Sequence, residues 1–142
     1  MLIPDINLLL YAHHAGFTEH TAARKWWESL LNSGQRVAMP WMVVFGFLRI
    51  STSQKVFPNP PNANAVCSVI KDWFACSGVQ PIDPGPQHFD IVSRLVAEVG
   101  AAAALTSDIH LAALALEYRC ELYSNDRDFG IFKGLKWINP LA

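Results

Sequence analysis

Short apolar runs alternate along this chain with longer stretches in which apolar residues recur every three or four positions. The runs Met1–Pro4, Arg36–Met39, Val79–Ile82 and Glu121–Tyr123 have strand length, and Lys136–Ile138 adds a last short one before Pro140. Between them the period changes to that of a helix. Asp5-Ile6-Asn7-Leu8-Leu9-Leu10-Tyr11-Ala12 reads as a turn into an apolar helix, with Asp5 or Asn7 near its N-cap. Thr18 is the expected cap of a second helix, running through Ala22, Trp26 and Leu30 until Gly34 stops it. Pro40, tolerated in a first helical turn, leads into Trp41–Ile50, which is so uniformly apolar that it should be buried.

The proline-rich stretch Ser51–Asn64 is a loop, and helices are expected over Ala65–Ser77 and Gln87–Val99. Val66, Val69, Ile70, Trp73 and Phe74 share one face of the first; Phe89, Val92, Leu95 and Val96 share one face of the second. A further apolar run, Ala104–Ser107, stops at Asp108, and Ile109–Tyr118 continues as a helix. Strands alternating with helices predict an α/β fold, a parallel sheet with helices on both faces, within one domain over 1–142. Right-handed crossovers would align the turns that follow the strands along one edge.

Composition narrows the picture. A domain of 142 residues that is 51% hydrophobic buries enough surface to fold without disulfides or a structural metal. A mean hydropathy of +0.19 argues against disorder. No apolar run reaches the roughly 18 residues of a spanning helix, and the N-terminus lacks the basic segment of a signal peptide, so cytoplasmic residence is expected. Cys67, Cys76 and Cys120 cannot all pair within one chain and have no CxxC spacing; they are expected reduced and partly buried. A net charge of −1 gives no bulk electrostatic footprint for nucleic acid, although a nuclease carrying its own metal could hold phosphate locally.

The chemistry concentrates in four aspartates at three junctions: Asp5, Asp108, and Asp126 with Asp128. In a parallel sheet such junctions lie at the carboxyl edge of the strands, where ligands bind. Each aspartate alone has a plain explanation as a helix cap. Four gathered at one edge repel one another unless a cation joins them, and hard carboxylate oxygens suit Mg²⁺ or Mn²⁺.

These residues stand in a recognisable setting. Asp5-x-Asn7-Leu8-Leu9-x-Tyr11-Ala12, Phe47-Leu48-Arg49, Thr106-x-Asp108-x-His110-Leu111-Ala112-Ala113 and Ser124-Asn125-Asp126-x-Asp128-Phe129 resemble PIN-domain proteins. Phe132-x-Gly134-Leu135 and Trp137-x-Asn139-Pro140 extend the likeness, which covers nearly the whole chain and is greatest to VapC-type toxins of type II toxin–antitoxin systems. The resemblance implies a three-layer α/β/α fold around a short central parallel sheet. It also implies a Mg²⁺- or Mn²⁺-dependent endoribonuclease that leaves a 5′-phosphate and a 3′-hydroxyl. By position, Asp5, Asp108 and Asp126 correspond to the core metal-site acids and Asp128 to an accessory one, while Asn7 and Ser124 correspond to the polar residues that hold those carboxylates. A homodimer and a VapB-type antitoxin are implied as partners, with RNA as substrate. One position departs: where many PIN toxins carry a glutamate ahead of Phe-Leu-Arg, this chain has Gly46, so the acid set is one short unless Glu28 or water fills in.

Other residues have balanced readings. His110, two residues past Asp108, could touch substrate phosphate or serve as an ordinary capping histidine. Arg49 could orient a carboxylate, contact RNA phosphate, or extend a solvated head from a buried stem. His13-His14 should lie at a helix end, where a cation is favourable. No histidine has zinc-ligand spacing. Trp27, Trp73 and Trp137 read as core or dimer interface, while Trp41 stays open. The alternatives to a toxin are a PIN-fold RNA-processing nuclease and a weakened PIN-like interaction module. The short chain without an appended RNA-binding domain favours the toxin, and the four aspartates speak against an inactive module. A HAD-like hydrolase would need Asp-x-Asp where Asp5-Ile6-Asn7 stands.

Overall fold

The computed structural model describes residues 1–142. Five strands, β1 (Leu2–Pro4), β2 (Val37–Pro40), β3 (Val79–Ile82), β4 (Glu121–Tyr123) and β5 (Trp137–Ile138), form one sheet in the order β3-β2-β1-β4-β5. Every pairing is parallel. The chain builds outward from β1 through β2 to β3, then returns to the other side of β1 with β4 and β5. The order therefore reverses between β1 and β4, the switch point beside which open α/β sheets form their ligand crevices.

Six helices accompany the sheet: α1 (Ile6–His13), α2 (His20–Asn32), α3 (Trp41–Ser51), α4 (Ala63–Ala75), α5 (His88–Val99) and α6 (Thr106–Tyr118). Helix α1 packs on both α2 and α3, α3 packs on α4, and α5 packs on α6. Right-handed crossovers running in opposite directions from β1 put these two groups on opposite faces of the sheet, which gives three layers. Leu2, Ile3, Met39 and Leu122 of the strands share one buried apolar cluster with Leu9 of α1 and Ile109, Leu111 and Leu114 of α6. Both α1 and α6 are buried over most of their circumference, as their nearly unbroken apolar sequences require.

Several local expectations need correction. Thr18 does not cap α2: its hydroxyl bonds to the Glu19 side chain, and Glu19, without a side-chain cap bond, starts the helix. The face of α2 that turns inward carries Ala23, Trp27 and Leu30, whereas Ala22 is exposed and Trp26 is half-buried against Tyr123. Helix α3 is not wholly buried; Phe45 is 60% exposed and Trp41 40%. Phe89 faces solvent, so the inward side of α5 centres on Leu95. The run Ala104–Ser107 is not a strand. Ala103–Leu105 forms a 3-10 turn that flows into α6 at Thr106, because alanine lacks the β-branch that favours a pleated strand and is the best helix former.

Candidate metal centre

Asp5 follows β1 directly, and its backbone N–H donates to Tyr123 O of β4 at 2.9 Å, which ties the two strand ends together. The Asp5 side chain caps α1 by accepting from Ile6 N at 2.7 Å. Its other oxygen accepts from Ser124 Oγ at 2.7 Å. Ser124 is fully buried just past β4 and is the hub of the site. Its oxygen also accepts from Asn7 Nδ2 at 3.3 Å and Asp126 N at 3.0 Å. One donor and two acceptor positions exhaust what a hydroxyl offers, so Ser124 fixes Asp5, Asn7 and the backbone at Asp126 relative to one another. Trp137 Nε1 donates to Ser124 O at 3.0 Å, and Asn139 Nδ2 holds Asn125 Oδ1 at 3.0 Å, so β5 braces the same turn.

Asp126 caps the following 3-10 turn, Arg127–Ile131, by accepting from Asp128 N at 2.9 Å. That turn brings the Asp126 and Asp128 carboxylates together, and Asp108 reaches them from the first turn of α6. One carboxylate oxygen from each of Asp108, Asp126 and Asp128 lies within 4.8 Å of the other two. Asp5 stands beside this group without belonging to it, because both of its oxygens are turned toward Ile6 N and Ser124 Oγ. The compact set of three therefore contains Asp128 in the place where the sequence had suggested Asp5.

The electrostatics follow from this crowding. Asp108 is half-buried; burial first, then the charges of Asp126, Asp5 and Asp128, raise its pKa to about 6. Burial also raises the Asp5 pKa, with the hydrogen bonds from Ser124 and Ile6 opposing and the charge of Asp126 adding. Carboxylates gathered and desolvated in this way resist ionisation, and a divalent cation reverses that balance. The donor set is all oxygen, with neither sulfur nor imidazole among the three, which fits Mg²⁺ or Mn²⁺.

Other predicted participants fall elsewhere. His110 Nδ1 lies 2.9 Å from His88 Nε2, and two residues along a helix turn a side chain about 200° from Asp108, toward α5. Glu28 is an exposed partner of Arg24 at 2.9 Å along α2 and does not supply the missing acid. His13 and His14 do sit at the end of α1, but burial lowers both pKa values, so they are neutral packing groups rather than cations. His13 bonds to Leu9 O and accepts from Trp73 Nε1; His14 bonds to the buried Ser51. Arg127 is exposed and pairs with neither neighbouring aspartate. Arg49 is exposed on α3 and, with Gly46 and Ser107, lines a cavity next to the carboxylates. A β-carbon at Gly46 would stand 2.5 Å from Ile6 Cδ1, so the glycine serves the close crossing of α1 and α3.

A family model described as PIN domain matches residues 2–135. The chain belongs to the PIN-domain family. Within it, Ribonuclease VapC33 of Mycobacterium tuberculosis is 43% identical over 142 residues, covering 99% of both chains. Ribonuclease VapC37 of the same species is 37% identical, covering 100% of this chain and 99% of its own. Among solved structures, VapBC2 from Rickettsia felis, bound to a DNA fragment from its promoter, superposes with a TM-score of 0.68 over 97% of each chain at 17% identity. At that identity the likeness speaks for the fold, and it places the PIN-domain sheet order and the helix layers described above in a known architecture. Two features of this PIN domain escaped sequence reasoning. The bracing of Ser124 by Trp137 and Asn139 carries no motif of its own, and the His88–His110 contact joins residues on separate helices.

Proposed function

We propose that this chain is a Mg²⁺- or Mn²⁺-dependent endoribonuclease, the toxin of a VapBC-type pair. The observation that carries the reading is the group Asp108, Asp126 and Asp128 at the switch point of the sheet, in a chain 43% identical along its length to a VapC ribonuclease. A divalent ion held by these carboxylates would neutralise the phosphodiester and provide an activated water. The protein's own contribution is position. Asp126 and Asp128 are locked in one turn by their shared hydrogen bond, and Asp108 is carried on a buried helix. Ser124, whose hydroxyl accepts from Asn7, holds Asp5 beside them, where its charge strengthens the pull on a cation.

The partners in this reading are RNA, a second copy of the chain, and a VapB-type antitoxin that sets an Arg or Lys against the aspartates and covers apolar surface between Thr18 and Ser51. Cytoplasmic residence belongs to the same reading; no helix is long and apolar enough to cross a membrane. The test is incubation of purified protein with total RNA in Mg²⁺, Mn²⁺, Ca²⁺ or EDTA, beside the Asp126→Asn variant. Cleavage in Mg²⁺ or Mn²⁺, lost in EDTA and in the variant and not supported by Ca²⁺, is expected. Undiminished cleavage in excess EDTA would refute the metal mechanism.

A further inference from the structure

Beside the carboxylates lies a cavity of about 530 Å³ formed where α1, α3 and the start of α6 meet. Ile6, Met42, Phe45 and Leu48 give it apolar walls, Gly46 lets Ile6 approach α3 closely along one side, and Arg49 and Ser107 supply its polar groups. Two of its residues adjoin the site in sequence, Ile6 following Asp5 and Ser107 preceding Asp108. Through these two residues the cavity adjoins the junctions that carry Asp5 and Asp108. Its size falls within the roughly 300–1,000 Å³ of small-molecule sites.

Three features say what it accepts. Phe45 keeps 60% of its surface in solvent beside the 40% exposed Trp41, whose ring centre is 6.0 Å away, so aromatic surface is exposed here. Base stacking uses such surface irrespective of sequence. Arg49 is exposed and forms no ion pair, although acids cluster nearby, so a guanidinium stands ready for an anion. We propose that this cavity is the subsite for the nucleotide adjoining the scissile phosphate, its base against Phe45 and its far phosphate on Arg49. The proposal rests on the ribonuclease reading and adds the part of the surface that grips the substrate.

The experiment takes an RNA oligonucleotide spanning a cleavage site mapped in total RNA, with versions abasic at either position flanking the cut. Phe45→Ala changes an exposed residue and should leave the melting temperature and the Mg²⁺ dependence unaltered. It should raise KM by about tenfold with kcat within about twofold, as loss of one base–aromatic stack implies. One abasic oligonucleotide should cost the wild type a similar factor, and the two losses should not multiply when combined. Arg49→Met should raise KM and flatten its salt dependence. Wild-type KM in Phe45→Ala, or losses that multiply, would overturn the subsite while leaving the ribonuclease intact. A wild type that cleaves no RNA in Mg²⁺ or Mn²⁺ would overturn both. If Phe45→Ala spared KM but weakened self-association in sedimentation, the face would be a protein interface and the proposal wrong.

Discussion

Removing the charge of Asp108 should make the metal-free protein more stable while destroying its function. The Asp108 carboxyl has a pKa of about 6 against an ordinary 3.8, raised by burial and by Asp126, Asp5 and Asp128. At 1.36 kcal/mol per pKa unit, that shift is a penalty of about 3 kcal/mol for the ionised form, and solvent screening of a half-exposed group reduces it to about 1–1.5 kcal/mol. The sign follows from linkage. A group whose folded pKa is raised favours the folded state fully below its unfolded pKa, near 4. That contribution is lost as the pH climbs through about 6. Asparagine keeps the shape and never ionises. Asp108→Asn should therefore melt with the wild type near pH 4 and above it at pH 7.5, by about 3–5 °C for a domain of this size. Thermal unfolding followed by circular dichroism in EDTA, from pH 4 to 8, measures the gap. His13 and His14, whose lowered pKa values also make stability depend on pH, are common to both proteins and cancel in the difference. A variant no more stable than wild type at pH 7.5, or a gap that does not change with pH, would show that the carboxylates do not strain one another. Adding Mg²⁺ should then stabilise the wild type more than the variant, because an ion that binds only the folded state raises its stability.

Other consequences of the geometry are equally open to measurement. Ser124→Ala removes the buried hydroxyl that serves Asp5, Asn7 and Asp126 N; it should cost about 1–3 kcal/mol in urea unfolding and about 10–100-fold in metal affinity by titration. Unchanged affinity would mean that Asp5 and Asp126 hold their places without it. Gly46→Ala places a β-carbon 2.5 Å from Ile6 Cδ1, and overpacking of about 1–3 kcal/mol should outweigh the gain in helix propensity of about 1 kcal/mol. Ile6→Val, which deletes that Cδ1 atom, should restore the melting temperature of Gly46→Ala; failure to do so would place the strain elsewhere. With the space opened by Ile6→Val, Gly46→Glu should lower the Mg²⁺ concentration needed for half-maximal cleavage. An unchanged requirement would mean that this position does not reach the metal site.

Much of this molecule was legible as a string. Val79–Ile82 and Glu121–Tyr123 are strands over the expected residues, and Asp5 caps α1, because short apolar runs bounded by turn residues leave little choice. Faces were harder. Phe89 and Phe45 have the hydrophobicity of core residues but lie where no other element covers them, and the inward direction of a helix is set by its neighbours. The Ala104–Ser107 run misled because apolar character alone does not distinguish a strand from a helix start.

The candidate site divides in the same way. The sequence by itself determined which residues bear charge at junctions, and the family motifs named Asp5, Asp108, Asp126 and Asp128 together. It could not rank them. Only the tertiary structure decided that Asp128 shares the compact oxygen cluster while Asp5 spends its oxygens on Ile6 N and Ser124, and that His110 turns to His88 instead of the carboxylates. The physical reason is that residue type fixes what a group can do, whereas its partners depend on distances spanning more than a hundred positions in the chain. Those distances exist only once β4 has paired with β1.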